Sequence, residues 1–160
     1  MLKKMLAGFS VIEMMVVVAI IGILAMVAIP SSMGRIIKEQ VLAAIPLSDA
    51  AKEPIAAQWK ALKTMPTDNT DAGLPIPDKV VSNFISKLEV NNGVIHMTFG
   101  NKAHAQLKDN ILSMRPAVIS ESNAVPIAWV CGNAKAPDKM TVLGENKTNI
   151  EDKYLPFACR

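Results

Sequence analysis

The sequence predicts an α+β protein in which a long N-terminal α-helix packs on a four-stranded antiparallel sheet. Three observations lead there. Residues 14–29, MMVVVAIIGILAMVAI, carry no charge. From Ser31 to about Lys63 apolar residues recur at steps of three and four, the period of an amphipathic helix. The second half of the 160-residue chain holds short apolar segments bounded by turn residues, the pattern of strands.

The N-terminal segment comes first. Between Phe9 and Ile29 only Ser10 and Glu13 are polar. As a helix these 21 residues span about 31 Å, which matches a bilayer core. An ordinary secretory signal has a shorter apolar stretch and a small-residue cleavage site after it. Lys3 and Lys4 keep the N-terminal end cytoplasmic, so the 130 residues from Ser31 onward lie across the membrane. The overall 51% hydrophobic content is concentrated in this helix, and the remainder suffices for one small core. Net charge is +3; removing Lys3 and Lys4 from the 17 basic residues leaves 15 against 14 acidic, a balance of +1. So small a balance gives no global case for nucleic acid as the main partner.

Glu13 is the exception within the apolar run. An unpaired charge there costs about 2.5–3.5 kcal/mol on insertion scales, so it needs a partner. A cut between Gly8 and Phe9 would create an α-amino group four residues away, and in a stack of such helices Glu13 of one subunit can pair with the amine of its neighbour. The other reading is an interfacial acid near the lipid headgroups.

In the amphipathic stretch the stripe is Ile37, Val41, Ile45, Ser48, Ala51, Ile55, Trp59 and Leu62, with bends or short breaks expected at Pro46 and Pro54. Residues 64–79 read as a loop. Its acids Asp68, Asp71 and Asp78 lack a calcium-loop pattern and read as solvated. Lys87–Val90 and Val94–Phe99 flank Asn91-Asn92-Gly93, a hairpin signal. Ile111–Ile119, with Pro116 marking an edge or bulge, and Pro126–Cys131 complete the four strands. The tail from Gly132 is irregular. Cys131 and Cys159 show no zinc or CxxC spacing. In a translocated domain they read as one disulfide, worth about 3 kcal/mol by the loop-entropy model, in an oxidising compartment; two buried free thiols are the alternative.

MLKKMLAG/FSVIEMMVVVAIIGILAMVAIP resembles the type III signal and N-terminal helix of type IV pilins. The matching residues are Gly8, Phe9, Glu13, Gly22 and Pro30; Ser10-Val11-Ile12 stands where family members often have Thr-Leu-Ile. The resemblance covers about 30 residues closely. It implies a cleaved leader (1–8), a transmembrane and filament-core helix (9–30) and a globular head (31–160) with a disulfide-bounded C-terminal region (131–159). It further implies a prepilin peptidase that cuts after Gly8 and methylates the Phe9 amine. Glu13 would guide docking, and Gly22 and Pro30 would mark a weak region where the helix can kink or melt on assembly. The implied partners are other pilin subunits in a homopolymer, the membrane and the inner-membrane assembly machinery before that, and a host surface or DNA once outside. The implied location is the inner membrane of a Gram-negative bacterium, then an extracellular pilus.

No catalytic constellation is legible: His96 and His104 have no ligand-spaced neighbours, and phosphate-loop and GxSxG motifs are absent. The expectation is therefore a non-enzyme without cofactor or metal. Lys102, His104 and Lys108 form a small basic cluster, and Lys135 and Lys139 dot the tail. Converged on one face, Lys102, Lys108, Lys135 and Lys139 could hold DNA phosphates, as some minor pilins of the family do; dispersed, they are surface charge. The readings are thus a pilus subunit serving adhesion, twitching motility or DNA uptake, a DNA-binding competence subunit, or a type II secretion pseudopilin. The terminal disulfide and the missing calcium-loop pattern count against the last.

Overall fold

The computed structural model describes residues 8–160, and of these the side chains outside residues 27–32. Leader residues 1–7 and the side chain of Pro30 lie outside the described set. Two compact units divide between Arg35 and Ile36.

Helix α1 runs Val11–Ala44. Its large apolar side chains from Phe9 to Met26 are all exposed, from 43% at Val17 to 78% at Val11 and Met26. Among the described residues no helix is long and apolar enough to cross a membrane. The 21-residue run expected to do so continues past Met26 into side chains outside that set.

In the second unit, Pro46 does what its chemistry predicts. It occupies the start of a 3₁₀ turn, Ile45–Ser48, where a missing N–H costs nothing, and so separates α1 from α2, Asp49–Leu62. The turn is tied by Ser48 Oγ donating to the Ile45 carbonyl at 2.7 Å. Pro54, by contrast, sits inside α2 without ending it; the burial of Ala51, Ile55 and Trp59 on one face holds the helix through it. The expected stripe is buried from Ile37 to Trp59, with Ile45 half-buried, but Leu62 is 66% exposed. The next residue, Lys63, is already left-handed, and its N–H caps the Trp59 carbonyl, so α2 stops there.

The sheet follows the order β1-β2-β3-β4, all antiparallel, with β1 Ile85–Asn91, β2 Val94–Phe99, β3 Ile111–Val118 and β4 Ala128–Cys131. Asn92 (φ 48°) and Gly93 (φ 80°) make the two-residue β1–β2 turn, both left-handed as its twist demands. A Cβ at Gly93 would also strike the Met65 side chain at 2.8 Å. Leu88, Val90, Ile95, Met97, Phe99, Leu112 and Met114 pack with Ile37, Val41 and Ile55 into the core.

Two expectations about strands change. Pro116 marks neither an edge nor a bulge: it lies in β3, an interior strand, opposite Trp129 of β4. Its nitrogen faces the other edge, beyond the last paired residue of β2, where Leu143 N–H donates to the Pro116 carbonyl. A fifth strand, β5 (Thr141–Val142), pairs with Ala117 and Val118 on that edge. β2 and β5 therefore lie end to end along one side of β3.

The loop before β1 is fastened by Asn69, which is 3% exposed. Its amide donates to the Pro75 and Leu88 carbonyls at 3.0 and 2.9 Å, and its Oδ1 accepts Val90 N–H at 2.7 Å. One side chain thus satisfies part of the open edge of β1. Asn69→Ala orphans these groups and should lower stability by about 1–3 kcal/mol in urea unfolding of the full chain held in mild detergent; an unchanged midpoint would show that the loop is held by other contacts.

Candidate assembly site at the helix N-terminus

The residues that bear on processing and assembly lie at the start of α1. Gly8, Phe9 and Ser10 precede the helix, and Phe9 is 77% exposed. Glu13, third residue of α1, turns back so that its Oε2 accepts the backbone N–H of Ser10 at 2.9 Å. This is the carboxylate half of a capping box, which satisfies a donor that no helical carbonyl can reach and places negative charge at the positive end of the helix dipole. The S-x-x-E spacing ahead of an apolar run is the sequence signal from which it could have been read. In the uncut chain the nitrogen of Phe9 is an amide, so Glu13 is engaged within its own helix. Phe9, Ile12, Glu13, Val16 and Val17 surround a shallow recess of about 330 Å³ on one helix face. Gly22 is further along, with nothing within 4 Å of the position a Cβ would take. Pro30 falls within the helical span, its side chain outside the described residues.

Cys131 and Cys159 form a disulfide with their Cα atoms 4.5 Å apart. Gly132 follows at φ 53°, and a Cβ there would meet the Cys159 carbonyl at 2.6 Å, so the bridge closes tightly over the turn. Arg115 donates from Nη2 to the Gly132 carbonyl at 3.0 Å, and Asn133 donates to the Asp152 carboxylate at 2.9 Å. Beyond these ties Phe157 stands 93% exposed.

The basic residues considered for DNA are all exposed. Lys102 and Lys108 lie in the β2–β3 connection, at the Ile111 end of β3. Lys139 precedes β5, whose Thr141 pairs with Val118 at the opposite end. Eight residues of strand, about 25 Å, separate the two groups. Lys135 lies between Gly132 and Lys139 on the connection. Two of the three aspartates of residues 64–79 serve the loop itself, Asp71 accepting Thr67 N–H and Asp68 accepting Asp71 N–H, each at 2.8 Å, while Asp78 is exposed in the 3₁₀ turn Pro77–Lys79. His104 accepts Gln106 N–H at 3.3 Å through Nδ1.

Comparison with known proteins agrees with this arrangement. Residues 38–160 match the pilin family (bacterial filament), and residues 3–29 match the prokaryotic N-terminal methylation motif. The chain is 31% identical to a type IV major pilin protein of Neisseria gonorrhoeae over 158 residues, covering 96% of this chain and 86% of that protein. It is 28% identical to a fimbrial protein of Neisseria meningitidis serogroup B (96% and 93% covered) and 28% identical to the fimbrial protein EcpC of Eikenella corrodens (100% and 94% covered). With a methylation motif leading into an exposed apolar helix and a pilin head filling the rest, the chain belongs to the pilin family: it is a type IV pilin, a structural filament subunit and not an enzyme.

Proposed function

We propose that this pilin is a building block of a surface pilus used for adhesion, twitching motility or DNA uptake, and that Glu13 sets the register in which subunits join. A type IV pilin with a methylation motif begins as a membrane-anchored precursor and ends in an extracellular pilus that it forms with other pilin subunits. In our reading the precursor sits in the inner membrane of a Gram-negative cell. A prepilin peptidase removes residues 1–8 at Gly8–Phe9 and methylates Phe9, and inner-membrane machinery passes the subunit into the filament. Residues 9–30 then form the filament core and residues 31–160 its outer wall.

The observation that carries this reading is an apolar helix exposed on every side with one carboxylate near its tip. Moving such a helix from lipid into a helix bundle gains little hydrophobic free energy, because lipid tails are as apolar as leucine. Register and direction must then come from a polar interaction. Cleavage converts the Phe9 amide into a cation, and Glu13 can exchange its internal Ser10 N–H for the amine of a neighbouring subunit.

Intact mass spectrometry of filaments sheared from cells should find the chain without residues 1–8, with one methyl group, and two hydrogens heavier after reduction. A processed chain that is scarce in that fraction points to a minor subunit. An unprocessed chain overturns the reading.

Gly8→Val should leave the leader uncut, because the larger side chain blocks the cleavage position; a mature-length product from this variant would remove Gly8 from the mechanism. Glu13→Ala should insert normally but weaken docking on the order of a hundredfold, from the cost of leaving the neighbour's Phe9 amine unpaired in an apolar bundle. A wild-type filament yield, with no wild-type subunit present, would exclude the pairing role.

A further inference from the structure

The sheet face turned away from the helices carries a buried histidine that lies outside the site at the start of α1. His96 on β2 is 4% exposed, and its register partner Ser113 on β3 is fully buried. His96 Nδ1 and Ser113 Oγ are 2.9 Å apart, and the same oxygen accepts the backbone N–H of Lys147 at 2.9 Å. The tail is fastened along β3 at this place. Ser113 N–H donates to Thr148 Oγ1 at 3.0 Å, Ile111 N–H to Asn149 Oδ1 at 2.7 Å, and Asn149 N–H to the Ile111 carbonyl at 3.2 Å.

The hydroxyl of Ser113 has one proton to give. With Lys147 donating into Oγ and His96 Nδ1 the other partner among the described residues, that proton has an acceptor only if Nδ1 is bare and the ring hydrogen sits on Nε2. A second ring proton would turn Nδ1 into a donor. The Ser113 hydroxyl, whose two partners among the described residues are His96 and Lys147, would then lose its acceptor on a fully buried side chain.

Charged groups approach from each neighbouring element. Lys147 and Glu145 come from the tail. Glu89 lies directly opposite on β1 and pairs with Lys87 at 3.4 Å. Arg115, two residues beyond Ser113 on β3, is directed to the Gly132 carbonyl.

We propose that the His96–Ser113–Lys147 junction is an acid-released latch on the disulfide-closed tail: protonation of the imidazole strands the Ser113 hydroxyl proton beneath the tail, and that cost is relieved when residues 147–149 lift from β3 and water reaches Oγ, while Cys131–Cys159 keeps the tail attached. Burial, and secondly Lys147, hold His96 below its ordinary value of 6.5; Glu89 and Glu145 oppose this. The open state therefore takes up the proton first. The latch is at full strength above about pH 6.5 and weakens as pH falls from there toward the lowered folded value.

Hydrogen–deuterium exchange on the full chain in detergent micelles, corrected for intrinsic rates, tests this. Protection of the Lys147 amide should fall by up to about tenfold per pH unit below 6.5, one proton's worth, while the core amide of Met97 stays protected. In His96→Asn, whose Oδ1 accepts at the same place but takes no proton, Lys147 protection should be independent of pH. Ser113→Ala should leave Lys147 weakly protected at every pH. A flat profile in the wild type, or the same fall in His96→Asn, overturns the latch. Nitrogen NMR of wild-type His96 gives a check that needs no variant: an Nε2–H tautomer titrating below 6.5 supports it, and an Nδ1–H tautomer or a midpoint at or above 6.5 overturns it.

Discussion

β3 is the strand on which the head depends. Both of its edges are shared in series: β2 and then β5 pair along one, β4 and then residues 147–149 along the other. One face packs toward the helices through Leu112 and Met114; the other buries Ser113 and Ala117. A strand so placed must satisfy every backbone group and fill both faces. The tail is needed for this as much as the helices are, and the disulfide holds it where β4 ends.

The N-terminal helix obeys a different constraint. Among the described residues its large apolar side chains from Phe9 to Met26 are exposed, so the surroundings must cover them. Lipid and a bundle of like helices do so about equally well. The single carboxylate is what distinguishes the two environments, and its bond to Ser10 N–H keeps it from being an unpaired charge before a partner arrives.

Much of this architecture was legible in the sequence. The β1–β2 turn was readable because Asn-Gly tolerates left-handed backbone at both positions, and β2 was found to the residue. The stripe from Ile37 to Trp59 followed from its period. Local pattern failed where a distant segment decided the outcome. His96 alternates with apolar residues on a face that looks half-exposed, and the pattern does not reveal that Lys147 of the returning tail docks on its partner Ser113. β5 and residues 147–149 are too short to carry a period. Asn69 looks like any loop asparagine until β1 supplies its three bonds. Pro116 suggested an edge because sequence does not reveal that β2 stops short of it.

The Asn92-Gly93 turn has a chemical consequence for a protein that stays outside the cell. Asn-Gly steps age by deamidation, in which the glycine nitrogen attacks the asparagine side-chain carbonyl and closes a succinimide ring. Here the Gly93 N–H is held by the Pro66 carbonyl at 2.9 Å and the Asn92 N–H by Thr67 at 3.3 Å, while the Asn92 amide donates to Asn91 at 2.9 Å. Ring closure has to free the Gly93 nitrogen from Pro66 and swing the Asn92 side chain off Asn91, so the hydrogen bonds that shape the hairpin also oppose its chemical decay.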